Sequence, residues 1–169
     1  MTDLPLNIDF SKLTPIEQMF GGDFEETQQL TALFEEAELY LSSFNWCKGI
    51  KSVYFGLGVS DIIGISLFEI CPSDSSADRY FWVVAGDTPP AHLATDNCPN
   101  SVFALDSYIG RTRRWCDSVL AGASVEGKSH VKLAQTAANA HDLMGRVRLL
   151  DSVILEHYRQ SEPNSKLKT

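Results

Sequence analysis

"KSVYFGLGVSDIIGISLFEIC", residues 51–71, decides the fold class because its side chains alternate with a period of two. Val53, Phe55, Leu57 and Val59 alternate with Tyr54, Gly56 and Gly58. That is the pattern of a half-buried strand, not of a helix. Gly56 and Gly58 fall on one face, which is left nearly bare, so the strand either admits another backbone there or bends. Ser60-Asp61 forms a tight turn into the apolar run "IIGISLFEIC", which suits a central strand. The polar loop "PSDSSAD" then leads to "RYFWVVA", a third strand. Three successive strands with short connections predict an antiparallel meander.

On the amino-terminal side the period changes to that of a helix. Leu30, Leu33, Phe34, Ala37, Tyr40, Leu41 and Phe44 form one stripe on a helix over residues 24–43. Asp23 is placed to cap it, Glu26 follows three positions later, and Glu25 and Glu26 suit the positive end of the helix. Glu35, Glu36 and Glu38 lie outside the stripe. "FNWCKGIK" joins this helix to the first strand, with Gly49 expected to end the helix and Trp46 to plug the core. Residues 1–22, punctuated by Pro5, Pro15 and Gly21-Gly22, are expected to be irregular apart from one helical turn.

On the carboxy-terminal side, "GDTPPAHLATDNCPN" reads as a stiff connector from sheet to helix that displays Asp87 and Asp96. Asn100 caps a helix over residues 101–121, carrying Leu105, Ile109, Thr112, Cys116, Val119 and Leu120 at helical spacing. After the linker "GASVEGKSH", a last helix is expected over residues 131–159, with Ala140, Leu143, Val147, Leu150 and Ile154 on one side. The expected whole is a single α+β domain over residues 1–160. It comprises a three-stranded antiparallel meander packed with an acidic amino-terminal helix and two carboxy-terminal helices. Residues 161–169 form a disordered tail.

The net charge of −8 is unevenly placed. Residues 1–47 carry nine carboxylates against one base, Lys12, whereas the rest of the chain balances. Such a field repels phosphates, which argues against nucleic acid, and steers a basic protein inward. No apolar run approaches the roughly 20 residues a membrane helix needs, and the first residues lack the pattern of a secretory signal. Cys47, Cys71, Cys98 and Cys116 are far apart with no C-x-x-C pair, which suits reduced thiols in a cytoplasm.

Motifs for chemistry are weak. His92, Asp96 and Cys98 lie within seven residues, but Cys98 sits in no nucleophile motif. His92, His130, His141 and His157 form no metal-binding pair, so neither metal nor cofactor is expected, and His157 falls on the apolar side of the last helix. The glycines match no nucleotide-binding loop. Arg111, Arg113 and Arg114 form the only basic cluster, either paired inside the molecule or solvated.

The elements W-C-K-G-I (46–50), D-T-P-P-A (87–91) and A-L-D-S-Y-I (104–109) resemble those shared by a group of small bacterial proteins to which no reaction is attached. In general character the chain also resembles the immunity proteins of bacterial toxin systems, which are small, acidic, cytoplasmic and free of catalytic motifs. That likeness implies a protein that binds and blocks a basic toxin. It carries no residue across, so the contact residues come from the charge pattern: Asp23, Glu25, Glu26, Glu35, Glu36 and Glu38, with Asp87 and Asp96 as a second acidic edge. The alternative is a small enzyme or ligand binder whose pocket at the sheet end gathers Trp46, Asp87, His92, Asp96 and Arg111. A homodimer through Leu143, Val147, Leu150 and Ile154 is compatible with either.

Overall fold

A computed structural model of the chain describes residues 7–125 and 129–161. The class is α+β, with one antiparallel sheet of five strands in sequence order. These are β1 (Thr14–Pro15), β2 (Cys47–Val59), β3 (Ile63–Pro72), β4 (Tyr80–Gly86) and β5 (Ala91–Ala94). The expected three-strand meander therefore gains a strand at each edge. Both were hidden by brevity: β1 is two residues, one of them a proline, and β5 is four residues inside the loop read as a connector.

Among the described residues four α-helices accompany the sheet: α1 (Phe24–Ser42), α2 (Ser101–Leu120), α3 (Ala137–Leu149) and α4 (Glu156–Ser161). The chain divides into two compact units, Met1–Ala104 and Leu105–Thr169, so α2 begins in the first and continues in the second.

In the first unit, α1 lies on one face of the sheet. Leu41 and Ala37 pack with Phe68, Ile70, Val83 and Ala85 beneath it, while Leu30, Leu33 and Phe34 form a second cluster with Phe55. β3 is buried from Ile63 to Ile70, as a central strand must be. Gly86 closes β4 at φ +143°, where a Cβ would stand 2.2 Å from the Ile62 carbonyl oxygen, so only glycine fits.

Gly56 and Gly58 of β2 do not share a face. A register shift between Phe55 and Leu57 inserts Gly56 as an extra residue and flips the alternation. Gly56 consequently faces Ser101 at the start of α2, and Gly58 faces Leu30 of α1, each with room for no Cβ (2.7 Å to the nearest side-chain carbon). The strand is irregular at this point, and the groups nearest the two glycines are side chains, Ser101 and Leu30, rather than one backbone laid along a shared bare face.

Helix ends follow their caps. The Asp23 carboxylate accepts the Glu26 N–H at 2.8 Å, and Asn100 Oδ1 accepts the N–H groups of Val102 and Phe103 at 3.0 Å each. Gly49 does not end α1; it lies within β2, and the helix stops at Ser42 with Ser43 as its cap.

In the second unit the last helix starts later than its apolar stripe suggested. Thr136 caps α3 through the Asn139 N–H, and residues 131–136 are not helical. Leu150–Leu155 forms a π-helical turn before α4. Ser161 ends α4, and the remainder of the expected tail lies outside the described residues. Leu143, Val147, Leu150 and Ile154 are buried within the chain, so that stripe is not offered to a second copy; Leu149 and Val153 occupy the exposed side. Among the described residues no helix is long and apolar enough to cross a membrane.

Candidate functional site

The helix α1 has two contrasting sides. Its inner stripe is buried, whereas Asp23, Glu25, Glu35, Glu36 and Glu38 are exposed and Glu26 is half-buried beside Gly21. Among the described residues, none of Glu25, Glu26, Glu35, Glu36 and Glu38 has an ion-pair partner. Large apolar side chains stand among them: Phe20, Phe24 and Leu39 are 82%, 77% and 75% exposed. Helical spacing places Phe24, Gln28, Glu35 and Leu39 along one outer stripe, about 22 Å from end to end. Sequence reasoning located the acids but missed these apolar residues, because Leu39 and Phe24 break the inward stripe only by their phase.

Where α1 ends, five rings gather. Tyr40 comes from the helix, Phe44 and Trp46 from the turn that follows, Phe81 from β4 and His92 from β5. Phe44 and Trp46 are stacked with centroids 5.0 Å apart, and His92 lies 4.9 Å from Phe44, 5.1 Å from Trp46 and 5.7 Å from Phe81. Tyr40 Oη is 3.1 Å from His92 Nδ1. Burial pushes the Tyr40 hydroxyl above its ordinary value, and the backbone amide of His92 opposes the rise. Which of the two donates depends on the imidazole tautomer. All five rings remain partly exposed. The cluster was partly legible, since three of its aromatic residues fall within seven positions, but Phe81 and His92 reach it only through the β4–β5 register that pairs Val83 with His92.

A buried carboxylate lies on the opposite face of the sheet. Glu69 is 6% exposed; the Ser52 hydroxyl donates to its Oε1 at 2.8 Å, and Lys51 Nζ stands 3.6 Å from Oε2. Burial foremost, then the Glu69 charge, pushes the neighbouring Tyr80 hydroxyl up to about 12. Ser52, Glu69 and Tyr80 sit opposite one another on β2, β3 and β4, so the group joins three strands.

Of the five residues of the expected pocket, Trp46 and His92 meet. Asp87 is exposed after β4, its N–H donating to the Ile62 carbonyl at 2.9 Å, and Asp96 is exposed in the turn after β5. Arg111 is exposed on the part of α2 in the second unit. In that unit Arg113 pairs with Asp151 at 2.7 Å, and Arg114 is exposed, so the basic cluster is part paired and part solvated. The Thr112 hydroxyl donates to the Tyr108 carbonyl at 2.8 Å and accepts from His130 Nε2 at 2.9 Å. Burial, then the charges of Arg111 and Lys132, pulls the His130 imidazole down to about 4.

Other expected sites are dispersed. Cys47, Cys98 and Cys116 are buried and Cys71 is exposed, all four as free thiols. Burial, then the Asp117 charge, pushes the Cys116 thiol up, the reverse of activation. His141 and His157 are exposed, so His157 does not lie on an apolar face as its spacing suggested. No group of three or more His, Cys, Asp or Glu among the described residues is placed to hold a metal ion. No family model matches the chain, and neither a curated protein nor a solved structure is significantly similar to it.

Proposed function

We propose that this chain is a partner-binding protein that docks a basic protein on the outer face of α1, most concretely an immunity protein that blocks a basic bacterial toxin. One observation carries the reading. The glutamates of α1 have no ion-pair partner among the described residues, and the same helix exposes Phe24 and Leu39, each more than 70% exposed. Solubility alone calls for the charges. It does not call for large apolar groups in water among them, a composition that suits a recognition surface with apolar anchors and a charged rim.

The two features act on different quantities. Exposed carboxylates on one face steer a basic molecule to the surface and raise its association rate, an effect that salt screens. Phe24 and Leu39 provide the area that slows dissociation once contact is made. Asp87 and Asp96 add a second acidic edge in the same unit.

Affinity capture from the source cells tests the reading. Tagged wild-type protein is compared with Glu35→Lys/Glu36→Lys/Glu38→Lys and with Phe24→Ser/Leu39→Ser. The expected result is one basic protein retained by wild type at low salt and lost from both variants, whose toxicity on expression is relieved by co-expressing this chain. Identical capture by all three proteins overturns the docking surface, and a captured partner without toxicity overturns the immunity form of it.

A further inference from the structure

The ring cluster at the end of α1 differs from the aromatic core of the same molecule. Trp82 and Trp115 are buried, whereas Tyr40, Phe44, Trp46, Phe81 and His92 all keep part of their surface in solvent. The Phe44–Trp46 pair is nearly parallel, at 23°, while His92 meets the rings of Phe44 and Phe81 edge-on, at 72° and 85°. A sheet-edge strand and a helix end therefore combine to hold several π faces beside one another. Glu36 stands one helical turn before Tyr40 on the same flank of α1, exposed and without an ion-pair partner among the described residues.

We infer that this cluster is the seat for an arginine guanidinium of the basic partner, an inference that rests on the acidic docking face proposed above. A carboxylate beside π faces is complementary to a cation. Guanidinium rather than ammonium is favoured by shape and hydration. It is planar, stacks on rings, forms a forked pair with a carboxylate and gives up its water more readily than lysine does. An apolar anchor would gain the same rings but would leave the Glu36 carboxylate without a cation.

Oligoarginine and oligolysine peptides of equal length serve as probes. Because Trp82 and Trp115 are buried, acrylamide quenching of tryptophan fluorescence reports mainly on Trp46. The expected result is that oligoarginine binds about fivefold tighter than oligolysine and shields Trp46, whereas oligolysine binds without shielding it. Phe44→Leu, and independently Tyr40→Leu, should remove the arginine preference and leave oligolysine affinity as it was. Equal, salt-dependent binding of the two peptides with Trp46 still quenched overturns the ring seat and leaves the acidic docking face standing. Absence of binding by both peptides at low salt overturns the docking face and the seat with it.

Discussion

The carboxylates of α1 and those of the second unit are treated in opposite ways. Asp106, Asp151 and Glu156 all contact Arg159, Asp151 also binds Arg113, and Asp142 pairs with Arg146 one turn along α3. Among the described residues the glutamates of α1 have no ion-pair partner, and Glu25, Glu35, Glu36 and Glu38 are exposed. The charge balance of each region foreshadows this difference, although it does not say which acid meets which base. What differs is the supply of bases: residues 1–47 contain only Lys12, whereas the carboxy-terminal helices carry arginines among their aspartates. Asp106, Asp142, Asp151 and Glu156 of the second unit are held in ion pairs, whereas among the described residues the glutamates of α1 have none.

The sharpest way to break this comparison is within α1 itself, where inner and outer leucines are two positions apart. Leu41→Ala, at a fully buried site, should destabilise the protein by about 2–5 kcal/mol in urea unfolding. Leu39→Ala should change stability by less than about 0.5 kcal/mol, since its side chain already faces water. Equal costs would mean that the outer face is covered within the chain.

Acid titration probes the second unit. The folded His130 has its proton affinity lowered to about 4, against an ordinary value of 6.5. As pH falls below 6.5 the unfolded chain takes up a proton that the folded chain refuses until about 4, so stability drops across that window and is unaffected above it. His130→Gln, which removes the titrating group, should flatten the slope of unfolding free energy between pH 6.5 and 4. An unchanged slope would show that His130 is solvated in the folded protein.

Smaller effects separate paired from unpaired acid. Asp151→Ala removes the carboxylate shared by Arg113 and Arg159 and should cost about 1 kcal/mol, with a loss that shrinks in high salt. Glu35→Lys/Glu36→Lys/Glu38→Lys should leave stability within about 0.5 kcal/mol of wild type, because all three are exposed and none is ion-paired among the described residues. Lysines near the end of α1 also complement the helix dipole, so a slight gain is expected. A large loss from the triple variant would reveal a partner for those glutamates inside the fold.

Much of the fold was legible in the chain because its signals are local. Asp23 and Asn100 cap the helices they precede, and the period-two run over residues 51–59 is a strand. The misses are of another kind. β5 is defined by its pairing to β4, a long-range event that leaves only "AHLA" as its trace. The opposed directions of Gly56 and Gly58 depend on a bulge, which a strict alternation cannot foresee. The exposure of His157 follows from where the π-helical turn resets the helix phase, shifting residues beyond Leu155 around the axis.

Local composition by itself determined that this is an acidic α+β chain, which stretches are helix or strand, and that its uncompensated charge lies in the first 47 residues. Those properties depend on neighbours along the chain, within a helical turn or a pleat. Which acids find arginines, which leucines are covered, and which rings surround His92 were decided only by tertiary structure. Burial and pairing are set by groups far apart in sequence, as Tyr40 and His92 are, and no window along the chain contains both.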